Sequence, residues 1–198
     1  MRKISFINMK GGVGKTTLST NVAYCLATRE NKKVLVVDID PQFNATHCFF
    51  SGDDYLDYLK NKGKTILDLF QERINGISTV DGVIETKDFE YSDILPVKIN
   101  ENLFVLPGNL NLYQIEISAG SGKENRLKKY LDEVDKIYHF DYVIIDTPPT
   151  PSIWMVSALL ASDYYIIPVK PDPLSYTGIE LLQNIISVSY THLRAHET

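Results

Sequence analysis

Residues Lys10 to Thr17 read Lys-Gly-Gly-Val-Gly-Lys-Thr-Thr. The glycines Gly11, Gly12 and Gly14 let the backbone curl until successive N–H groups point at one anionic group, because glycine adopts left-handed conformations without strain. A short apolar run, Ile4–Ile7, precedes this string and a helical stretch opens near Thr16. The positive end of that helix therefore backs the same concavity. Lys15 supplies a point charge suited to β- and γ-phosphates, and the Thr16 hydroxyl is placed to ligate Mg²⁺. The pattern predicts a nucleoside-triphosphate site made from Lys10, Gly11, Gly12, Val13, Gly14, Lys15, Thr16 and Thr17.

Two further segments carry carboxylates just after apolar runs. Asp38-Ile39-Asp40-Pro41-Gln42-Phe43-Asn44-Ala45-Thr46 follows Val34–Val37, and Asp146-Thr147-Pro148-Pro149 follows Tyr142–Ile145. Phosphoryl transfer asks a protein chiefly for positioning and charge stabilisation, which gives a carboxylate beside a triphosphate a purpose. Asp146, at the end of a strand-like run, suits Mg²⁺ held through a water. Asp-x-Asp-Pro also suits a turn or a helix cap. Asp141 reads as the start of its strand.

An ordinary phosphate-binding loop would have glycine at position 9, where this chain has Met9, and the chain instead carries Lys10 immediately before the glycine pair. The string thereby resembles the deviant Walker A motif of the ParA/MinD family of P-loop ATPases. The segment from Asp38 resembles that family's first switch, and Asp141–Pro149 resembles its Walker B strand with the Asp-Thr-Pro-Pro ending of the second switch. Pro41-Gln42 favours the ParA partition branch. Pro107-Gly108-Asn109-Leu110, Ile167-Pro168-Val169 and Leu174-Ser175-Tyr176-Thr177-Gly178 are similar to ParA as well. Phe43 stands where the family often has glycine.

The resemblance implies ATP and Mg²⁺ as cofactors and a dimer with nucleotide between its two subunits. It implies that Lys10 reaches the partner's nucleotide, that Lys15 binds phosphate, and that Asp40 orients the attacking water and helps order the Mg²⁺ shell. Thr16, Asp40 and Asp146 would serve the metal, with Asp38 in weaker support. The function implied is partition of a plasmid or chromosome: ATP-dependent dimerisation, nonspecific DNA binding, and slow hydrolysis stimulated by a ParB-like centromere-binding partner. Such a protein would be cytoplasmic and nucleoid-associated. Two alternatives keep the same phosphate loop: an ATPase that positions a protein cargo, and a metabolic enzyme of the dethiobiotin-synthetase kind, against which the Asp38–Gln42 switch argues.

The chain has 198 residues, 44% hydrophobic and 23% charged, enough for one globular domain with a proper core. Its net charge of −5 gives no overall attraction for nucleic acid, so any DNA binding must come from a local patch. Lys123, Arg126, Lys128 and Lys129 form either such a patch or a solvated helix face. Cys25 and Cys48 are too few and too far apart for a disulfide framework or a metal motif. No run approaches the about 20 apolar residues that span a bilayer.

Strand and helix signals alternate along the chain. Helices are expected over Thr16–Arg29, Lys123–Tyr138, Ile153–Leu160 and Tyr176–Ser187, with a short helical piece at Ile66–Phe70 and loop or short helix over Ser51–Lys64. The 123–138 stretch carries Leu127, Tyr130, Leu131, Val134, Ile137 and Tyr138 on one stripe. Buried strands are expected at Ile4–Ile7, Val34–Val37, Leu103–Leu106, Tyr142–Ile145 and Tyr165–Ile167. The array predicts an α/β three-layer sandwich around a mostly parallel sheet, with right-handed crossovers.

Val188–Thr198 reads as one frame of a common transposase-type sequencing adapter, a frame that also limits position 187 to Ser, Pro, Thr or Ala; the residue is Ser187. The expected organisation is a C-terminally incomplete ATPase domain over 1–187 and a non-native tail over 188–198. His192 and His196 in that tail are assigned no role. A domain ending there is expected to leave a sheet edge and an apolar helix face uncovered, with poor solubility and weak nucleotide affinity.

Overall fold

The computed structural model of the chain describes residues 1–71, 91–117 and 123–171, with positions 182, 183 and 187. Six strands form one sheet: β1 (Arg2–Phe6), β2 (Val34–Asp38), β3 (Val97–Lys98), β4 (Leu103–Leu106), β5 (Tyr142–Asp146) and β6 (Tyr164–Ile166). Their order across the sheet is β3-β4-β2-β5-β1-β6, parallel throughout except where β3 runs against β4. The helices are α1 (Lys15–Thr28), α2 (Asn44–His47), α3 (Gly52–Lys60), α4 (Leu67–Phe70), α5 (Leu112–Ile117), α6 (Arg126–Tyr138) and α7 (Ile153–Ala161).

Successive strand residues face opposite sides of a sheet, and both sides are apolar here. Leu35, Val37, Phe104, Leu106, Val143 and Ile145 pack beneath α4, α6 and α7, where Trp154 meets Phe70 edge-on with ring centres 4.9 Å apart. Val34, Val36, Leu103, Val105 and Ile144 face α1. Helix α1 lies on the sheet through small residues, with Ser19, Ala23 and Ala27 buried at four-residue steps. That spacing brings the start of the helix close to the strand ends. The result is the three-layer sandwich with a mostly parallel sheet that the sequence predicts.

Several local expectations need correction. Of the expected buried strand Tyr165–Ile167, Tyr165 and Ile166 are 46% and 42% exposed and Ile167 is half-buried, because β6 pairs with β1 alone among the described residues. On α6 the stripe holds through Leu127, Tyr130, Leu131 and Val134, and Tyr138 packs against it, but Ile137 is 55% exposed. Of the two alternatives for Ser51–Lys64, loop or short helix, the structure has a helix over Gly52–Lys60, whose first turn is capped by the Ser51 hydroxyl accepting the Asp54 N–H at 3.1 Å. The two-residue strand β3 was not expected at all; Val97-Lys98 is too short to show a periodicity. Of the expected helix over 176–187, Leu182 is described and is buried against Ile7 and Met155. The rest of it, the Leu174–Gly178 segment and the 188–198 tail lie outside the described residues.

Candidate functional site

Strand order gathers the motifs. β5 lies between β1 and β2, and both Phe6 and Asp38 are register partners of Asp146. Three segments far apart in sequence therefore leave the sheet side by side at its carboxyl edge, where ligands of open α/β sheets bind.

The loop after β1 turns through Gly12 (φ +70°) and Gly14 (φ +93°), and Gly14 caps α1 while its carbonyl accepts the first helical N–H, that of Leu18, at 2.9 Å. A Cβ placed at Gly11, Gly12 or Gly14 would meet nothing within 4 Å. At 12 and 14, left-handed backbone and not crowding requires glycine, and the loop surface is open enough for a phosphate chain. Gly11, Gly12 and Thr17 face solvent, Val13 is tucked inward, and Lys10 is half-buried. Lys15 is buried, and its Nζ donates to the Asn8 carbonyl at 3.0 Å and more loosely to the Lys10 carbonyl at 3.5 Å. Burial holds this ammonium below its usual range, against the pull of Asp146 and Asp40.

Asp146 is buried at the end of β5, with Thr16 Oγ1 donating to its Oδ2 at 2.7 Å and Ser19 Oγ to its Oδ1 at 3.0 Å. Burial pushes its carboxyl up to about 6, although both hydroxyl bonds oppose the shift. Asp40 is likewise buried, and its Oδ1 accepts the Gln42 N–H at 2.8 Å. Burial raises it, while the Gln42 bond and the Lys15 charge hold it back. The turn and the site are thus built from the same residue: the Asp40 carboxylate shapes the local chain and still feels Lys15.

Asp38 has a different task. Its Oδ2 accepts both the N–H and the hydroxyl of Thr46 at 2.7 Å, and burial, followed by the neighbouring Asp146 charge, pushes its carboxyl well above the usual range. The Thr46 hydroxyl also accepts the Gly108 N–H at 2.7 Å, and the Gly108 carbonyl accepts the Tyr55 hydroxyl at 2.7 Å. Asp38 therefore anchors the segment that carries Asp40. Within it Phe43 adopts a left-handed backbone, φ +41° and ψ +39°, a conformation that glycine takes at less cost. Its ring stacks on Tyr55 at 5.4 Å and lies 4.7 Å from His47. A Cβ at Gly108 would stand 2.5 Å from Phe43 Cβ and 3.0 Å from Asp38 Cγ, so that position has room only for glycine.

The structure brings Lys10, Lys15, Thr16, Asp40 and Asp146 to one edge, and adds residues that sequence reasoning missed. Asn8 braces the phosphate loop, Ser19 shares Asp146 with Thr16, and the Thr147 hydroxyl donates to the Phe6 carbonyl at 2.7 Å. Ser19 alone left a signal, lying three residues beyond Thr16 on one helix face. The basic patch does not hold together. Lys123 is buried and Arg126 Nη1 donates to the Leu69 carbonyl at 3.2 Å, which leaves Lys128 and Lys129 pointing outward.

A hydroxyl and carboxylates in this arrangement are hard oxygen donors. They fit Mg²⁺, which takes one or two carboxylates and keeps most of its waters. Among the described residues no cluster of His, Cys, Asp and Glu offers an all-protein metal cage. Also among the described residues, no helix is long and apolar enough to cross a membrane.

The family model described as an AAA domain matches residues 1–196. The chain is 36% identical over 192 residues to the sporulation initiation inhibitor protein Soj of Bacillus subtilis, covering 96% of this chain and 66% of that one, just under two thirds of its length. Its fold superposes on a Borrelia burgdorferi protein described as a plasmid partition protein and solved with AMPPNP, with a TM-score of 0.76 and 27% identity over 94% of this chain and 70% of that one. It also resembles cobyrinic acid a,c-diamide synthase of Mycobacterium smegmatis, solved with ADP and magnesium, with a TM-score of 0.69 and 27% identity over 94% and 67% of the two chains. With its lysine-first phosphate loop, its two switch segments and these relatives, the chain belongs to the AAA domain family and to the ParA/MinD family of deviant-Walker-A P-loop ATPases.

Proposed function

We propose that this protein is a partition ATPase that binds ATP and Mg²⁺ at the carboxyl edge of its sheet and dimerises around the nucleotide. The observation that carries the reading is the convergence of Lys15, Thr16, Asp40 and Asp146, from three adjacent strand ends, beside a loop that begins with Lys10. The Gly11–Gly14 amides, Lys15 and Thr17 bind the phosphates, and Thr16 and Asp146, with Asp40 nearby, hold Mg²⁺. The bound metal supplies positive charge where the phosphoryl oxygens gain negative charge. Asp40 orients the attacking water, and Lys10 reaches the partner subunit's nucleotide. The dimer then binds DNA without sequence preference, and a ParB-like centromere-binding partner stimulates a slow hydrolysis.

The test uses the full-length protein with Mg-ATP. Lys10→Ala is expected to stay monomeric in sedimentation, whereas Asp40→Ala is expected to form a long-lived ATP dimer that releases no phosphate. Normal dimerisation of Lys10→Ala would sink the reading. Retention on nonspecific DNA should require ATP and fall steeply with salt.

The likeness to the Mycobacterium smegmatis synthase favours a second reading, a metabolic enzyme that uses the same phosphate loop on a small acid. Binding to DNA only in the presence of ATP separates the two, because a metabolic enzyme has no use for it.

A further inference from the structure

Asn8 lies between the end of β1 and Lys10 and is 3% exposed. Its polar groups reach three different places. The side-chain Oδ1 accepts the Lys10 N–H at 2.8 Å, Nδ2 donates to the Pro168 carbonyl at 2.7 Å, and the main-chain carbonyl accepts Lys15 Nζ at 3.0 Å. The amide's orientation is fixed by its partners, since a backbone N–H can only donate and a proline carbonyl can only accept. No flipped arrangement satisfies both, so one rotamer serves this position.

The bond to Lys10 spans two residues, which makes it an Asx-type turn set immediately before Gly11 and Gly12, where the backbone has least stiffness of its own. Lys15 reaches the carbonyls of both Asn8 and Lys10, so the peptide units that Asn8 fixes also seat the second lysine. At its far end the amide grips the loop that follows β6.

We infer that Asn8 is a positioning residue: its Oδ1 holds the Lys10 backbone so that the Lys10 side chain is presented to a second copy of the chain. The inference rests on the ATP-dependent dimer proposed above and adds the residue that orients its cross-subunit lysine.

The experiment measures ATP-dependent dimerisation by sedimentation, and ATP affinity separately, for Asn8→Ala, Asn8→Asp and Lys10→Ala in the full-length protein. Asn8→Ala loses both side-chain bonds and is expected to weaken the dimer about tenfold, the effect of losing the buried bond to the Lys10 N–H. Asn8→Asp keeps an acceptor for the Lys10 N–H and loses the donor to Pro168. It is expected to restore dimerisation to within about threefold of the wild type, rescue that general loss of packing would not produce. Wild-type dimerisation of Asn8→Ala, with Lys10→Ala monomeric, overturns the inference and leaves the partition reading standing. An Asn8→Asp as defective as Asn8→Ala also overturns it, by assigning the effect to the Pro168 anchor. If Lys10→Ala itself dimerises normally, the reading and the inference fall together.

Discussion

At the amino end of β5, Asp141 is exposed and its carboxylate accepts the Lys33 N–H at 2.8 Å, while its own N–H and carbonyl pair with Lys33 and Arg2. Asp163 does the same for β1, accepting the Lys3 N–H at 2.8 Å. At the carboxyl ends of β2 and β5, Asp38 and Asp146 are wholly buried, lie opposite each other in register, and resist ionisation. The same residue type closes the sheet at one end and strains it at the other. Aspartates that join strands sit in water beside N–H groups, where an ionised carboxylate is cheap. Asp38 and Asp146 are clustered and desolvated, an arrangement that stability alone would not select.

The sharpest way to break this contrast is Asp146→Asn. An amide fills the same space without a charge, so melting in EDTA is expected to move upward, while Mg-ATP hydrolysis falls roughly 10- to 100-fold, as for loss of a group acting on a metal through water. A variant that melts lower and still hydrolyses ATP would reverse the assignment of the two ends.

A pH series on the unaltered protein comes next in size. Asp146 titrates near 6 in the folded chain against 3.8 ordinarily, so between those values the folded state holds more protons than the unfolded one. Stability without metal therefore declines as pH rises through that window. Asp38 and Asp40, also raised, act in the same sense. With Mg²⁺ present the decline should shrink or reverse, because the ionised carboxylate is then the useful form. Calorimetry from pH 4.5 to 7, with EDTA and with Mg²⁺, reads both.

Asp141→Ala should be milder, costing about 1 kcal/mol in urea unfolding for one lost hydrogen bond and leaving hydrolysis per folded molecule unchanged. Smallest is Lys33→Met. The Lys33 ammonium lies 5.5 Å from the ring centres of Phe104 and Tyr138 and 5.9 Å from that of Phe140. Losing the charge but keeping the stem should cost about 0.5 kcal/mol, again without effect on hydrolysis.

The phosphate loop, the two switch aspartates and the parallel sheet were legible because each is written in a short contiguous stretch. Gly12 and Gly14 take the conformations their types suggest, and Val34–Val37 is buried on both faces as a continuous apolar run should be. What escaped depends on distant partners. Nothing around Asn8 announces Pro168, nothing around Thr147 announces the Phe6 carbonyl, and Gly108 is confined by Phe43 and Asp38 from a segment some 65 residues earlier. On the basic helix Lys128 and Lys129 face solvent, one of the two readings the sequence offered, whereas Arg126 is turned to backbone carbonyls that only tertiary structure supplies.

The placement of β5 also sets a timetable for synthesis. β1 and β2 have both left the ribosome long before β5, yet they never touch as partners; each pairs with β5 from either side. Until residue 146 emerges, the phosphate loop and the first switch have no common wall, and Thr16 and Ser19 lack the carboxylate they share. A growing chain should therefore be blind to nucleotide until β5 has been made and acquire the site in one step, when a single strand slides into the gap.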